Sequence, residues 1–172
     1  ADVNQATDTG TTPLYMALQQ RHRKVARALV AAGAKVNQAK TEDGASPLHV
    51  ASEQNDPGMM RMLLAAGADM IQVCMSTGSF PLLIASGEGE ERLRVVQELL
   101  AAGADVNQVR TKDGVTALWI ASQESQLKVV QALLAAGADV NKARTDNGST
   151  PLAIASMMGR LEVVRALVAA EA

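Results

Sequence analysis

Residues 135–152 read Ala-Ala-Gly-Ala-Asp-Val-Asn-Lys-Ala-Arg-Thr-Asp-Asn-Gly-Ser-Thr-Pro-Leu. The opening Ala-Ala-Gly-Ala recurs at 31–34, 65–68 and 101–104, so the string ends on a fixed set of glycines: Gly33, Gly67, Gly103 and Gly137. A fixed period of about 34 residues is the mark of stacked repeats. Cutting after each glycine divides the chain into 1–33, 34–67, 68–103, 104–137 and 138–172.

Each segment has the same internal order. A return opens it: Asp2-Val3-Asn4, Lys35-Val36-Asn37, Asp69-Met70-Ile71, Asp105-Val106-Asn107 and Asp139-Val140-Asn141. A polar stretch then closes on Gly10, Gly44, Gly78, Gly114 or Gly148. A positive φ is expected there, because glycine has no Cβ penalty in a left-handed turn. Thr12-Pro13-Leu14, Ser46-Pro47-Leu48 and Thr150-Pro151-Leu152 start a short helix. The hydroxyl accepts from an orphan N–H, and proline has no N–H to leave unpaired at the first helical position. A second helix follows, with Val129, Val130, Leu133 and Leu134 on one apolar face, and Val163, Val164, Leu167 and Val168 in the same pattern. The glycine after Ala-Ala is the left-handed cap that ends it.

The polar turn, the Thr-Pro-Leu start, the helix pair and the Gly-Ala-Asp-Val-Asn return resemble the ankyrin repeat, over essentially the whole chain. The resemblance implies an all-α fold, a solenoid of stacked helix-turn-helix units with β-hairpin-like fingers, in a single domain over 1–172. Stacking is obligatory, since one such unit cannot bury its own apolar face.

The repeats are not identical. Segment 68–103 has Ile71 for asparagine, Phe80 for the capping hydroxyl and two extra residues around Gly87-Glu88-Gly89. Segment 104–137 has Ala117 for proline, and Glu171 stands where glycine ends the other segments.

Composition narrows the function classes. The net charge is -2, from 16 basic and 18 acidic residues. That balance offers no global attraction to nucleic acid or to an anionic membrane. Hydrophobic residues make up 48% and aromatic ones 2%, so the core must be built from small and aliphatic side chains. No apolar run approaches the ~18 residues of a membrane span. The one cysteine, Cys74, forbids an internal disulfide and fits a reducing, intracellular location such as the cytoplasm. The chain opens without methionine at a repeat boundary, as expected of a piece cut from a longer protein.

Catalysis needs a convergent acid, base or nucleophile. The only histidines are His22, in a loop between helices, and His49, at the helix start. Both read as loop and cap hydrogen bonders. Cys74 has no base or metal partner in the sequence, and no Cys/His spacing matches a zinc site. The acidic run Gly87-Glu88-Gly89-Glu90-Glu91 lacks a lysine and would repel phosphate; it reads as a solvated loop, or as a contact for a basic partner. Arg21, Arg23, Lys24 and Arg27 read as a solvated face or a partner contact. Met59, Met60 and Met62 read as core packing. The expectation is a chain with no catalysis, no cofactor and no metal.

The resemblance implies protein binding through a concave face made of finger tips and first-helix ends. The finger residues there are Lys40, Glu42, Met75, Arg110, Lys112, Arg144 and Asp146; the helix residues include Gln123, Met157 and Met158. Met157 and Met158 stand where other repeats are polar, and read equally as adaptable binding residues or as locally buried ones. Trp119 reads either as a ring packed on the next finger or as an interface anchor. Toward the C-terminal half the face gains Val115, Trp119, Met157 and Met158, an apolar centre with Arg110, Lys112 and Arg144 at its rim. The expected partner is another protein, with no nucleic acid and no membrane, and the domain is expected to be a monomer within a longer chain. A targeting arm of a larger enzyme or effector is the alternative. Asparagine modification is a third reading: Asn37, Asn107 and Asn141 each follow a leucine by eight residues.

Overall fold

The computed structural model describes residues 2–89 and 92–171. Glu90 and Glu91 of the acidic run lie outside the described residues. The chain divides into two compact units, Ala1–Pro81 and Leu82–Ala172, and the border falls inside the third repeat.

In the first unit, α1 (Pro13–Gln19) packs on α2 (Arg23–Ala31) and on α3 (Pro47–Glu53), which packs on α4 (Pro57–Ala65). Thr12 Oγ1 accepts from the Tyr15 N–H at 3.1 Å, and Asp56 Oδ1 from the Met59 N–H at 3.1 Å, so α1 and α4 are capped as their sequences require. The core of this unit is Leu14, Leu18, Leu48, Met59, Met60 and Leu63, all nearly or wholly buried. The core reading of Met59 and Met60 holds; Met62 is half-buried.

Helix α5 (Pro81–Ala85) is shorter than the other first helices, and begins on the last residue of the first unit. The second unit continues with α6 (Leu93–Ala101), α7 (Ala117–Gln123), α8 (Leu127–Ala135), α9 (Pro151–Met157) and α10 (Leu161–Ala169). Here α7 packs on α8 and α9, α9 on α10, and α8 on α6 and α10. Thr116 and Thr150 cap α7 and α9 through the N–H groups of Trp119 and Ala153. Leu99, Leu118, Val129, Val130, Leu133 and Leu167 form the buried seam.

The glycines behave as their positions predict. The finger glycines have φ from 70° to 76° and the C-cap glycines from 82° to 91°. Between the helices of a repeat, Arg21, Asn55 and Ser125 also take positive φ, where the last repeat uses Gly159. The fingers are tight turns and not strand pairs. Among the described residues the only β contact is one isolated bridge, Val109 to Thr116.

Asparagine stitches consecutive repeats together. Asn37 Nδ2 donates to the Gly67 carbonyl at 3.0 Å, and its Oδ1 accepts from the Asp69 N–H at 2.7 Å. Asn107 does the same with Gly137 and Asp139.

Candidate functional site

In the second unit the fingers of the fourth and fifth repeats are built alike. The Arg110 N–H donates to the Val115 carbonyl and the Arg144 N–H to the Ser149 carbonyl, each closing a loop of six residues. The Thr145 N–H donates to the Asp113 carbonyl at 2.9 Å and links one finger to the next. Glycine is required at 114: a Cβ there would lie 2.8 Å from the Thr145 side chain and 2.9 Å from its backbone nitrogen.

Linked in this way, the fingers assemble a charged cluster. Arg110 grips the Asp113 carboxylate with Nε at 2.8 Å and Nη2 at 2.6 Å, and Arg144 Nη2 stands 3.6 Å from the same group. Hydrogen bonding from Arg110 holds the Asp113 carboxyl below the usual carboxylate range, against the opposing effect of burial. Arg144 also bonds Asp146, with Nε to Oδ1 at 2.9 Å, and that hydrogen bond lowers the Asp146 pKa. The Arg144 guanidinium lies over the Trp119 ring, 4.9 Å from its centroid. The indole N–H donates to Ser149 Oγ at 3.3 Å. Trp119 is therefore packed beneath the next finger and is buried.

This placement corrects the apolar centre expected from the sequence. Val115 is wholly buried, and Trp119 is nearly so beneath Arg144 and Ser149 of the neighbouring finger; neither presents free surface. Met157 does, at 74% exposure, and Met158 is exposed beside it. Gln123 is half-buried: its carbonyl accepts from Arg160 Nε at 3.2 Å and its amide donates to Glu124. Lys112 and Asp146 are exposed at the finger tips. Asp113 and Ser149 were not among the expected residues. A usable signal was present for Asp113: an acid three residues after a cation and just before the turn glycine, as in Arg110–Asp113 and Lys40–Asp43.

The first unit holds the remaining candidates. Lys40 Nζ pairs with Glu42 at 3.1 Å and Asp43 at 3.6 Å; Glu42 is exposed. The Met75 N–H donates to the Asp43 carbonyl at 2.7 Å, while its side chain is exposed. Cys74 is buried, with Sγ 3.2 Å from the Asp43 carbonyl and from Ser76 Oγ. Burial pushes the thiol up, but hydrogen bonds from Ser76 and Thr77 outweigh it and leave the pKa below its ordinary value. His49 Nδ1 accepts from the Ser46 N–H at 3.2 Å, and Nε2 donates to the Ser79 carbonyl at 3.1 Å, which is the neutral tautomer. His22 stands at the start of α2 and its exposed ring caps nothing, so only its backbone plays the expected part. Of the basic cluster, Arg23 Nε bonds the buried Asp56 at 2.7 Å. The side chains of Asn37 and Asn107 are engaged at both ends.

Among the described residues, no group of three or more His, Cys, Asp or Glu side chains is arranged to hold a metal ion. No helix among them is long and apolar enough to cross a membrane. No curated protein matches the chain. A family model described as ankyrin repeats, in three copies, matches residues 1–74 and 82–172.

Proposed function

The chain belongs to the ankyrin-repeat family, whose members are generally protein–protein interaction modules and typically non-catalytic, and from that premise we propose that it binds another protein through the finger tips and first-helix ends of its second compact unit. The observation that carries this is the pair Met157 and Met158. They are exposed at the end of α9, where the other repeats carry polar residues: Gln19, Gln20 and Glu53 are exposed, and Gln54, Gln123 and Glu124 half-buried. Long, polarizable methionine side chains adapt to varied partners. Lys112 and Asp146 on the adjoining fingers supply the polar rim. Arg110, Arg144, Asp113 and Trp119 act as the rigid floor that sets finger positions. The chain contributes recognition and no catalysis, so a longer protein carrying it would use it as a targeting arm.

The test begins with affinity capture from the native source, followed by mass spectrometry. Against the partner so identified, the double variant Met157→Glu, Met158→Glu is expected to weaken binding at least about tenfold, or ~1.4 kcal/mol. Gln19→Ala in α1 is expected to change nothing measurable. Unaltered affinity in the folded double variant refutes the placement.

A further inference from the structure

Charge is segregated within the first compact unit. Residues 1–81 hold seven basic and seven acidic side chains, so the unit as a whole is neutral. Between Asp8 and Glu42, however, there is no acid, and that interval contains Arg21, Arg23, Lys24, Arg27, Lys35 and Lys40. The second helix of each repeat shows the same bias: α2 and α4 carry Arg23, Lys24, Arg27 and Arg61 and no acid. Asp56, at the start of α4, is buried, and Arg23 answers its charge at 2.7 Å. That bond also ties the start of α2 to the start of α4. Among the described residues, no side chain pairs with Arg21, Lys24 or Arg27.

Lys24 and Arg27 occupy positions that stacking leaves open. The counterparts of Lys24 are Gly58, Arg94, Lys128 and Glu162, and those of Arg27 are Arg61, Gln97, Gln131 and Arg165. Every one of them is exposed, in inner repeats as in outer ones. The spacing of the cations is regular as well. Lys24 and Arg27 are three residues apart on one helix, which sets their Cβ atoms roughly 5–6 Å apart. Arg27 and Arg61 hold the same position on consecutive repeats, at the helix-to-helix spacing of about 8–10 Å. Side chains on one side of an extended peptide follow each other at about 7 Å, which matches these intervals.

We propose that the face formed by α2 and α4 is a further protein-binding surface, which takes an extended acidic segment with Asp or Glu at alternate positions. It lies in the first unit and does not depend on Met157 and Met158. The planar guanidinium groups of Arg27 and Arg61 suit carboxylates, which they grip with two parallel hydrogen bonds. A long polyanion gains little beyond the patch, because the unit as a whole carries no excess positive charge. Exposed ion pairs are individually weak, so the contact is of low affinity and sensitive to salt.

Fluorescence anisotropy of a labelled Glu-Ala repeat peptide of about eight residues, titrated with the 172-residue chain at about 50 mM salt, tests this. The dissociation constant is expected between about 10 μM and about 1 mM, and the matching Gln-Ala peptide is expected not to bind. The paired change Lys24→Glu, Arg27→Glu, confirmed as folded by circular dichroism, should weaken binding at least about tenfold. Lys24→Gln with Arg27→Gln serves in its place if the reversed pair melts early. Arg94→Glu with Lys128→Glu alters the net charge equally, at exposed positions of the second unit, and should weaken binding less than about threefold. A wild-type chain that does not bind the Glu-Ala peptide, or an equal loss in the two double variants, overturns the proposal. So does tighter binding to single-stranded DNA of the same charge or to phosphatidylserine vesicles.

Discussion

At the scale of single residues, exposure separates side chains that hold the fold from those free to meet a partner. Trp119 and Met157 sit on corresponding faces of α7 and α9, yet one is buried and the other open. Removing a buried tryptophan ring costs a few kcal/mol, through lost transfer energy and the cavity left behind. Trp119→Ala is therefore expected to lower folding stability by about 3 kcal/mol, while Met157→Ala should stay within about 0.5 kcal/mol. Urea unfolding of the two variants separates the roles; a neutral Trp119→Ala would contradict the packed geometry. Ser125 gives the opposite case. Its φ of 58° is left-handed, a conformation that costs a side-chain-bearing residue roughly 1–2 kcal/mol. Glycine removes that strain but gives back about 0.5–1 kcal/mol in unfolded-chain entropy. Ser125→Gly should thus gain about 0.5–1 kcal/mol, by the same measurement.

At the scale of elements, His49 joins the start of α3 to the finger of the next repeat, through Ser46 on one side and the Ser79 carbonyl on the other. Protonation would place a hydrogen on Nδ1, facing the Ser46 N–H, and would charge a buried ring. Burial accordingly lowers its pKa from the ordinary 6.5. The sign follows from linkage: the unfolded chain takes up the proton first as pH falls, so this contribution is complete above pH 6.5 and is lost below it. Stability measured from pH 7 to pH 5 should fall, and the slope should flatten in His49→Gln. An equal slope in both proteins would remove His49 as its source. The Asp113 carboxylate, whose pKa is also lowered, adds a separate loss in the ordinary carboxylate range as pH drops further.

At the scale of the whole molecule, the repeats are not equally strong. Repeat stability is close to a sum of local and nearest-neighbour contributions. Helix α5 has five residues where α7 has seven, and Phe80 brings no hydroxyl to its first turn. A missing cap costs about 0.5–2 kcal/mol. Phe80 offsets part of that cost, because its ring is wholly buried. The border between the two compact units falls at the start of this helix. Amide hydrogen exchange in residues 68–89 is expected to be at least about fivefold faster than in the fourth repeat, the factor that ~1 kcal/mol of local stability gives. Equal protection in the two segments would show that Phe80 burial makes good the whole deficit.

What the sequence determined by itself is everything governed by a few neighbouring bonds. The φ of Gly33 or Gly114, the hydroxyl caps of Thr12 and Thr150, and the apolar stripe of α8 depend on residues within four or five positions, and all are found where the sequence places them. The repeat period then implies stacking, because each helix pair leaves an apolar face open. Tertiary structure decided what depends on groups about thirty residues apart. Trp119 meets Ser149 and Arg144, Asp113 meets Arg144, and His49 meets Ser79. An aromatic residue at the start of a helix looks the same in sequence whether the next finger covers it or leaves it open. The covering finger arrives only when the following repeat docks, and that docking covers Trp119, while Met157 and Met158 stay in water.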